Sequence, residues 1–192
     1  MRSSTSGTLH YERASALVLL VFSVGAILDA VLRILQWAGT EANPLLHVLT
    51  AGIPLLIASG VWTLLRKHKD LSGACFVLFI VAVAVGFTAL YPSIPISWYL
   101  GAGLVMWSMR LSQNLLMWVG TSLLVLAAGA QFKLIEYDGA LFLPFVITVP
   151  VFLCVAAYFQ FSQVRTQAQE LDLDAAESVE LHLKRYGRLP ND

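Results

Sequence analysis

From Ala14 to Leu35 the chain runs through ASALVLLVFSVGAILDAVLRIL, twenty-two residues with a single acid and a single base. Such a stretch matches the roughly 20 apolar residues a helix needs to cross about 30 Å of hydrocarbon. Five more apolar stretches follow at about Leu45–Leu65, Leu71–Tyr91, Ile94–Met109, Leu115–Ile135 and Ala140–Phe161. Lipid offers no partners to backbone N–H and C=O groups, so each stretch is expected to be helical. A transmembrane barrel would alternate apolar and polar residues, and VLLVFSVGAIL and FVLFIVAVAV do not. The expectation is an all-α, polytopic membrane bundle of about six transmembrane helices with a cytoplasmic C-terminal helix. Its divisions are an N-terminal segment (1–13), the six-helix domain (14–161) and an amphipathic helical tail (162–192).

The connections have their own signals. Asn43-Pro44 precedes the second stretch, and Arg66-Lys67-His68-Lys69-Asp70 is too charged for hydrocarbon. Tyr91-Pro92-Ser93-Ile94-Pro95 stops the third stretch, and Asp138-Gly139 is a turn before the sixth. The short, glycine-containing fourth stretch has a shallow re-entrant hairpin as its alternative, joined to the fifth by a loop at Arg110-Leu111-Ser112-Gln113-Asn114. Arg2 and Arg13 ahead of an apolar run also resemble a cleavable signal. The continuation through Asp29, Arg33 and Trp37, without a small-x-small cleavage site, favours a retained helix.

With six spans, one side collects Arg2, Arg13, Arg66, Lys67, Lys69, Arg110, Arg165, Lys184, Arg185 and Arg188, and the other only Arg33 and Lys133. This asymmetry expects both termini in the cytoplasm, for instance of a bacterial cell with the protein in its plasma (inner) membrane. Trp37, Tyr91, Trp98, Tyr99 and Tyr137 fall near the outer edges of the spans, and Tyr11, Trp62, Trp118 and Tyr158 near the inner ones.

Composition narrows the function classes. The chain is 58% apolar and 12% charged, with twelve bases balancing twelve acids, so nothing draws it to nucleic acid. No Walker A, G-x-S-x-G or G-x-G-x-x-G sequence occurs, and Cys75 and Cys154 stand singly as packing residues. His47 is the only histidine expected within a span, which leaves no paired ligands for a haem or metal. No cofactor is expected.

The ionisable residues at membrane depth are the candidates for a site. Asp29 and Arg33 are one turn apart on one face, acid first, the favourable order for a pair. Left unpaired, each charge costs about 2.5–3.5 kcal/mol near the bilayer centre. They form either a structural ion pair or, with Lys133 and Glu136 and the neighbouring Gln131, Asp138, Glu41 and His47, the wall of an outer polar cavity. Small residues, among them Gly101, Gly103 and Gly120, are expected to let helices approach closely, and Pro54 and Pro150 to kink their spans.

Between Pro150 and Gly187 there is neither glycine nor proline, so the sixth helix can continue into the tail. There Leu171, Ala175, Val179, Leu183 and Tyr186 form an apolar stripe for the membrane surface, a second copy of the chain in a homo-oligomer, or a cytoplasmic protein partner. In plan alone the chain resembles the membrane-sensor regions of bacterial signalling proteins. The leading expectation is a non-enzymatic sensory, scaffold or accessory module in the lipid bilayer. The alternatives are a small transporter or channel using Asp29 and Arg33, and an embedded enzyme acting on lipid.

Overall fold

The computed structural model describes residues 2–40, 44–66, 71–88, 96–132 and 142–186, and of residues 2–10 and most of the tail only the backbone. Among the described residues the chain is all-helical, with six α-helices and no strand. They are α1 (Arg2–Leu35), α2 (Pro44–Leu65), α3 (Ser72–Thr88), α4 (Ser97–Leu111), α5 (Asn114–Gln131) and α6 (Phe142–Tyr186). A five-residue π-helical turn, Gln36–Thr40, extends α1. Helices α1, α2, α5 and α6 are long and apolar enough to cross a membrane.

α1 is the centre of the bundle. It packs most extensively on α6, then on α2 and on α4, while α2, α3, α4 and α5 follow one another around it. Its core face carries Val18, Leu19, Phe22 and Ala26 against Ile57, Leu78, Leu104 and Leu153 from the surrounding helices. Large apolar side chains such as Phe76, Trp118, Val125, Val151 and Tyr158 face outward. A water-soluble bundle would bury them; a bilayer accommodates them.

Cross-contacts fix the depths of α6, α2 and α4 against α1. Trp37 stacks on Phe142, with ring centroids 5.7 Å apart, and at the other end the Gln167 amide donates to Glu12 at 3.1 Å. Twenty-five residues separate the two contacts on each helix, so α1 and α6 are antiparallel in one register from end to end. A Cβ at Gly25 would meet the Ile57 side chain and one at Gly60 the Val21 side chain, so α2 also runs antiparallel to α1. Phe22 lies against Gly103 of α4, and its ring is stacked with Tyr99 at 6.3 Å.

α4 and α5 form a hairpin with backbones nearly touching. A Cβ at Gly101 would fall 2.9 Å from the Gly120 carbonyl, and one at Gly120 would fall 2.9 Å from the Gly101 carbonyl and 2.8 Å from the Val105 nitrogen. Glycine is required on both sides of this seam. The turn takes only Ser112 and Gln113. Ser112 is left-handed (φ 53°), and the N–H groups of Ser112 and Gln113 both return to the Ser108 carbonyl, a Schellman-type ending.

Three details correct the sequence reading. α4 begins at Ser97 and ends at Leu111, and Arg110 belongs to its last turn, not to a loop. The hydrogen-bonded ending carries the helix past Met109. Tyr99 is buried, not an interfacial anchor; its hydroxyl donates to the Pro54 carbonyl at 3.2 Å. Cys75 is packed as expected, but Cys154 is exposed, because it lies off the Leu153–Ala157–Gln160 face that α6 turns to the bundle. Beyond these corrections, α1 starts at Arg2, ahead of the apolar run, as a 34-residue helix, and α6 continues through Pro150 to Tyr186 as a 45-residue helix, the continuity expected from the lack of glycine and proline after Pro150.

Candidate functional site

The site grows from one stripe of α1. Phe22, Ala26, Asp29, Arg33 and Gln36 recur at spacings of four, three, four and three, so they share a face of the helix. The inner part of that face is apolar and meets α4 through Gly103, Leu104 and Tyr99. α4 starts at Ser97, six residues before Gly103, or about 9 Å along the axis. α1 continues thirteen residues beyond Phe22, or about 20 Å. The stripe turns polar at the depth where α4 ends its cover.

Asp29 and Arg33 form the expected pair: Arg33 Nε donates to Asp29 Oδ2 at 2.7 Å. The partners are unequally placed. The Asp29 side chain is 9% exposed and that of Arg33 32%, so the acid is in the bundle and the base leads outward, as snorkelling favours. The pair occupies only one carboxylate oxygen. Oδ1 is buried and has no hydrogen-bond partner. One turn farther out, the Gln36 amide donates to Thr50 Oγ1 at 3.3 Å, and Thr50 in turn donates to the Leu46 carbonyl at 2.9 Å. This bond ties the start of the π turn to α2.

Three helix irregularities coincide near the depth of Asp29. Carrying the α1–α6 register inward from Trp37 and Phe142 brings Asp29 level with Pro150. The α1–α2 register brings it within one to two residues of Pro54, and the Phe22–Gly103 contact with α4 brings it within one residue of Ser97. Proline has no N–H, so Pro54 leaves the Thr50 carbonyl, and Pro150 the Val146 carbonyl, without its usual helical donor. The first-turn N–H groups of α4 have no intrahelical acceptor, and the Ile96 cap makes no side-chain bond. The buried Ser97 Oγ is without a partner as well. By contrast, Ser15, Ser23 and Ser108 each return the hydroxyl to a carbonyl of their own helix at 2.7 Å. Asp29 Oδ1 and Ser97 Oγ, both buried without a partner, thus lie close in depth to the start of α4 and to two proline interruptions.

Sequence reasoning reached Asp29 and Arg33 but not Ser97 or the two proline-freed carbonyls, whose coincidence depends on interhelical register. It also missed Gln160, 1% exposed with neither amide atom bonded, and the buried, unbonded indole N–H of Trp107. The same registers bring these two to the depth of Val18 and Leu19, in the inner half. A lone amide in the apolar run AAYFQF was the one visible sign of Gln160.

Lys133, Glu136, Asp138 and Glu41 lie outside the described residues, as does the side chain of His47, and Gln131 is exposed at the last turn of α5. Of the tail stripe, Leu171, Ala175, Val179, Leu183 and Tyr186 are on the helical backbone of α6, with their side chains outside the described set. Among the described residues, no group of three or more His, Cys, Asp or Glu side chains is arranged to hold a metal ion. No family model matches the chain, and neither the curated proteins nor the solved structures contain a match.

Proposed function

We propose that the chain is a non-enzymatic membrane module of the sensory, scaffold or accessory kind, which couples an outer polar layer to a cytoplasmic helical tail. The observation that carries this reading is the geometry of α1. It holds the Asp29–Arg33–Gln36 stripe at one end and packs along α6, joined to it at Trp37–Phe142 and Glu12–Gln167. α6 then continues as one helix to Tyr186. A change at the outer layer reaches the tail through a small rotation or sliding of α1 against α6, the shear available to packed helices. In this reading Leu171, Ala175, Val179, Leu183 and Tyr186 meet a cytoplasmic protein or a second copy of the chain.

Six spans and a cytoplasmic location of both termini belong to the same proposal. Orientation does not depend on whether α3 and α4 traverse the whole bilayer. If the two cross, or if they enter and return together, Arg66 and Arg110 remain on the same side as the N-terminus. The positive-inside count supports a cytoplasmic placement of that side, and a bacterial plasma membrane is the membrane proposed.

The test compares the full chain with a version ending at residue 166, both reconstituted into membranes and crosslinked to the cytoplasmic fraction. The module reading expects a specific, saturable crosslinked species with the full chain and its loss on truncation. Equal recovery of that species by both versions would overturn the reading. A second reading, a small transporter using Asp29 and Arg33, draws support from the interrupted helices around Asp29. It expects Asp29→Asn and Arg33→Gln to abolish solute flux in vesicles while the protein stays inserted.

A further inference from the structure

We infer that the layer around Asp29 is a binding site for a small zwitterionic solute, with an α-amino acid as the simplest representative. This deepens the sensory reading and rests on it only for what the tail does in response.

The inference follows from which groups remain unspent. Asp29 Oδ1 is an anionic acceptor inside the bundle, its sister oxygen held by Arg33. The Thr50 and Val146 carbonyls, deprived of donors by Pro54 and Pro150, add neutral acceptors about one turn farther out. Against them stand donors: the Ser97 hydroxyl and the first-turn N–H groups of α4, where the helix dipole supplies about half a positive charge. Tyr99, bonded to the Pro54 carbonyl, holds α2 beside the start of α4. Asp29 is seven residues beyond Phe22, hence on the face that Phe22 presents to α4.

A ligand satisfying both sets must donate to the carboxylate side and accept from the α4 side. A bare cation would fill the first but leave the α4 donors unspent, and would meet the repulsion of Arg33 and the dipole. A bare anion would face Asp29. An ammonium group on Asp29 Oδ1 and the freed carbonyls, with a carboxylate on Ser97 and the α4 amides, leaves no net charge in the bundle. Helix ends at membrane depth suit anionic groups for this reason. Ligand-gated tightening between α1 and α4 would then be felt along α1 by α6.

The experiment uses the purified full chain in lipid nanodiscs, with calorimetric titration and thermal unfolding as paired readouts. The probes are glycine and L-alanine, methylammonium and sodium as cation-only controls, and glycolate as an anion-only control. The proposal expects saturable binding of a zwitterion and about tenfold or weaker binding of each single-charge probe. Asp29→Asn should weaken zwitterion binding about tenfold or more, as expected for loss of a charged hydrogen bond. Ser97→Ala, a small change at a helix start, should weaken it severalfold and keeps the test decisive should the Asp29 variant not fold. Binding of methylammonium or sodium as tight as that of the zwitterions would replace the proposal with a cation site. Absence of binding by any probe, or binding indifferent to Ser97→Ala, would overturn it. Neither result bears on the truncation experiment, so the site and the module reading fail separately.

Discussion

The α4–α5 hairpin and the layer around Asp29 solve the same problem in opposite ways. In the hairpin, backbones approach through Gly101 and Gly120 until a single added carbon has no room, and Leu116, Val119 and Leu123 are buried against α4 or its neighbours. The Ser108 hydroxyl is closed locally on the Val105 carbonyl, with the buried indole N–H of Trp107 as the exception. In the layer, an acid, a helix start and two prolines share one depth and leave donors and acceptors open. Close packing needs no partner beyond the chain itself. The open layer is stable only while charge is balanced, and this is what makes it receptive to a ligand.

The sharpest way to break that contrast is to unbalance the layer. Arg33→Gln leaves the buried Asp29 carboxylate without its cation and is expected to destabilise the protein by about 3 kcal/mol, discounted somewhat because Arg33 is partly exposed. Asp29→Asn combined with Arg33→Gln removes both charges and should recover most of the loss. Thermal unfolding of the three variants in one detergent tests this. A double variant no better than Arg33→Gln would mean that the pair contributes far more than charge compensation. In the hairpin the corresponding change is steric. Gly120→Ala brings a methyl against the Val105 nitrogen and the Gly101 carbonyl, and overpacking of this kind typically costs about 1–3 kcal/mol. Gly73→Ala, where nothing lies within 4 Å of the added carbon, is the control and should gain slightly from helix propensity. Equal effects at the two glycines would contradict the close approach.

Gln160 tests whether openness is confined to the outer layer. Its amide is buried with no bonded atom, and unsatisfied groups of this kind cost about 1–3 kcal/mol. Gln160→Leu should therefore raise stability by about 1 kcal/mol while leaving zwitterion binding unchanged. A loss of stability instead would place a hydrogen-bonded water or ligand at Gln160, and the inner half would no longer be the closed half.

How much of this was legible in the sequence follows from the range of each interaction. The six helices are written in runs of apolar residues, and Asp29–Arg33 in a spacing of four, because both are local to one segment. The continuity of α6 was readable from the lack of glycine and proline after Pro150. The end of α4 was not, because Met109, Arg110 and Leu111 look like a polar interruption until Ser112 supplies the hydrogen-bonded stop. Nor was the coincidence of Pro54, Ser97 and Pro150 with Asp29, since it depends on three interhelical registers set by contacts such as Gly103–Phe22 and Trp37–Phe142. Tyr99 illustrates the same point: by position it is an edge aromatic, and by packing it belongs to the core.

The smallest expected effect sharpens the hairpin side of the comparison. Ser112 is the one non-glycine residue with positive φ among the described residues, and its N–H and that of Gln113 both close on the Ser108 carbonyl. An L-residue pays about 1–2 kcal/mol for this conformation, and glycine avoids most of it while gaining freedom in the unfolded chain. Ser112→Gly should therefore stabilise by about 0.5–1 kcal/mol, and Ser112→Val, β-branched and poorly suited to positive φ, should destabilise by a similar amount or more. Opposite signs for the two variants in thermal unfolding would mark a hairpin whose turn is set by backbone geometry. A loss with glycine would mean that the serine side chain holds the turn, and the hairpin would then depend on a polar contact much as the Asp29 layer does.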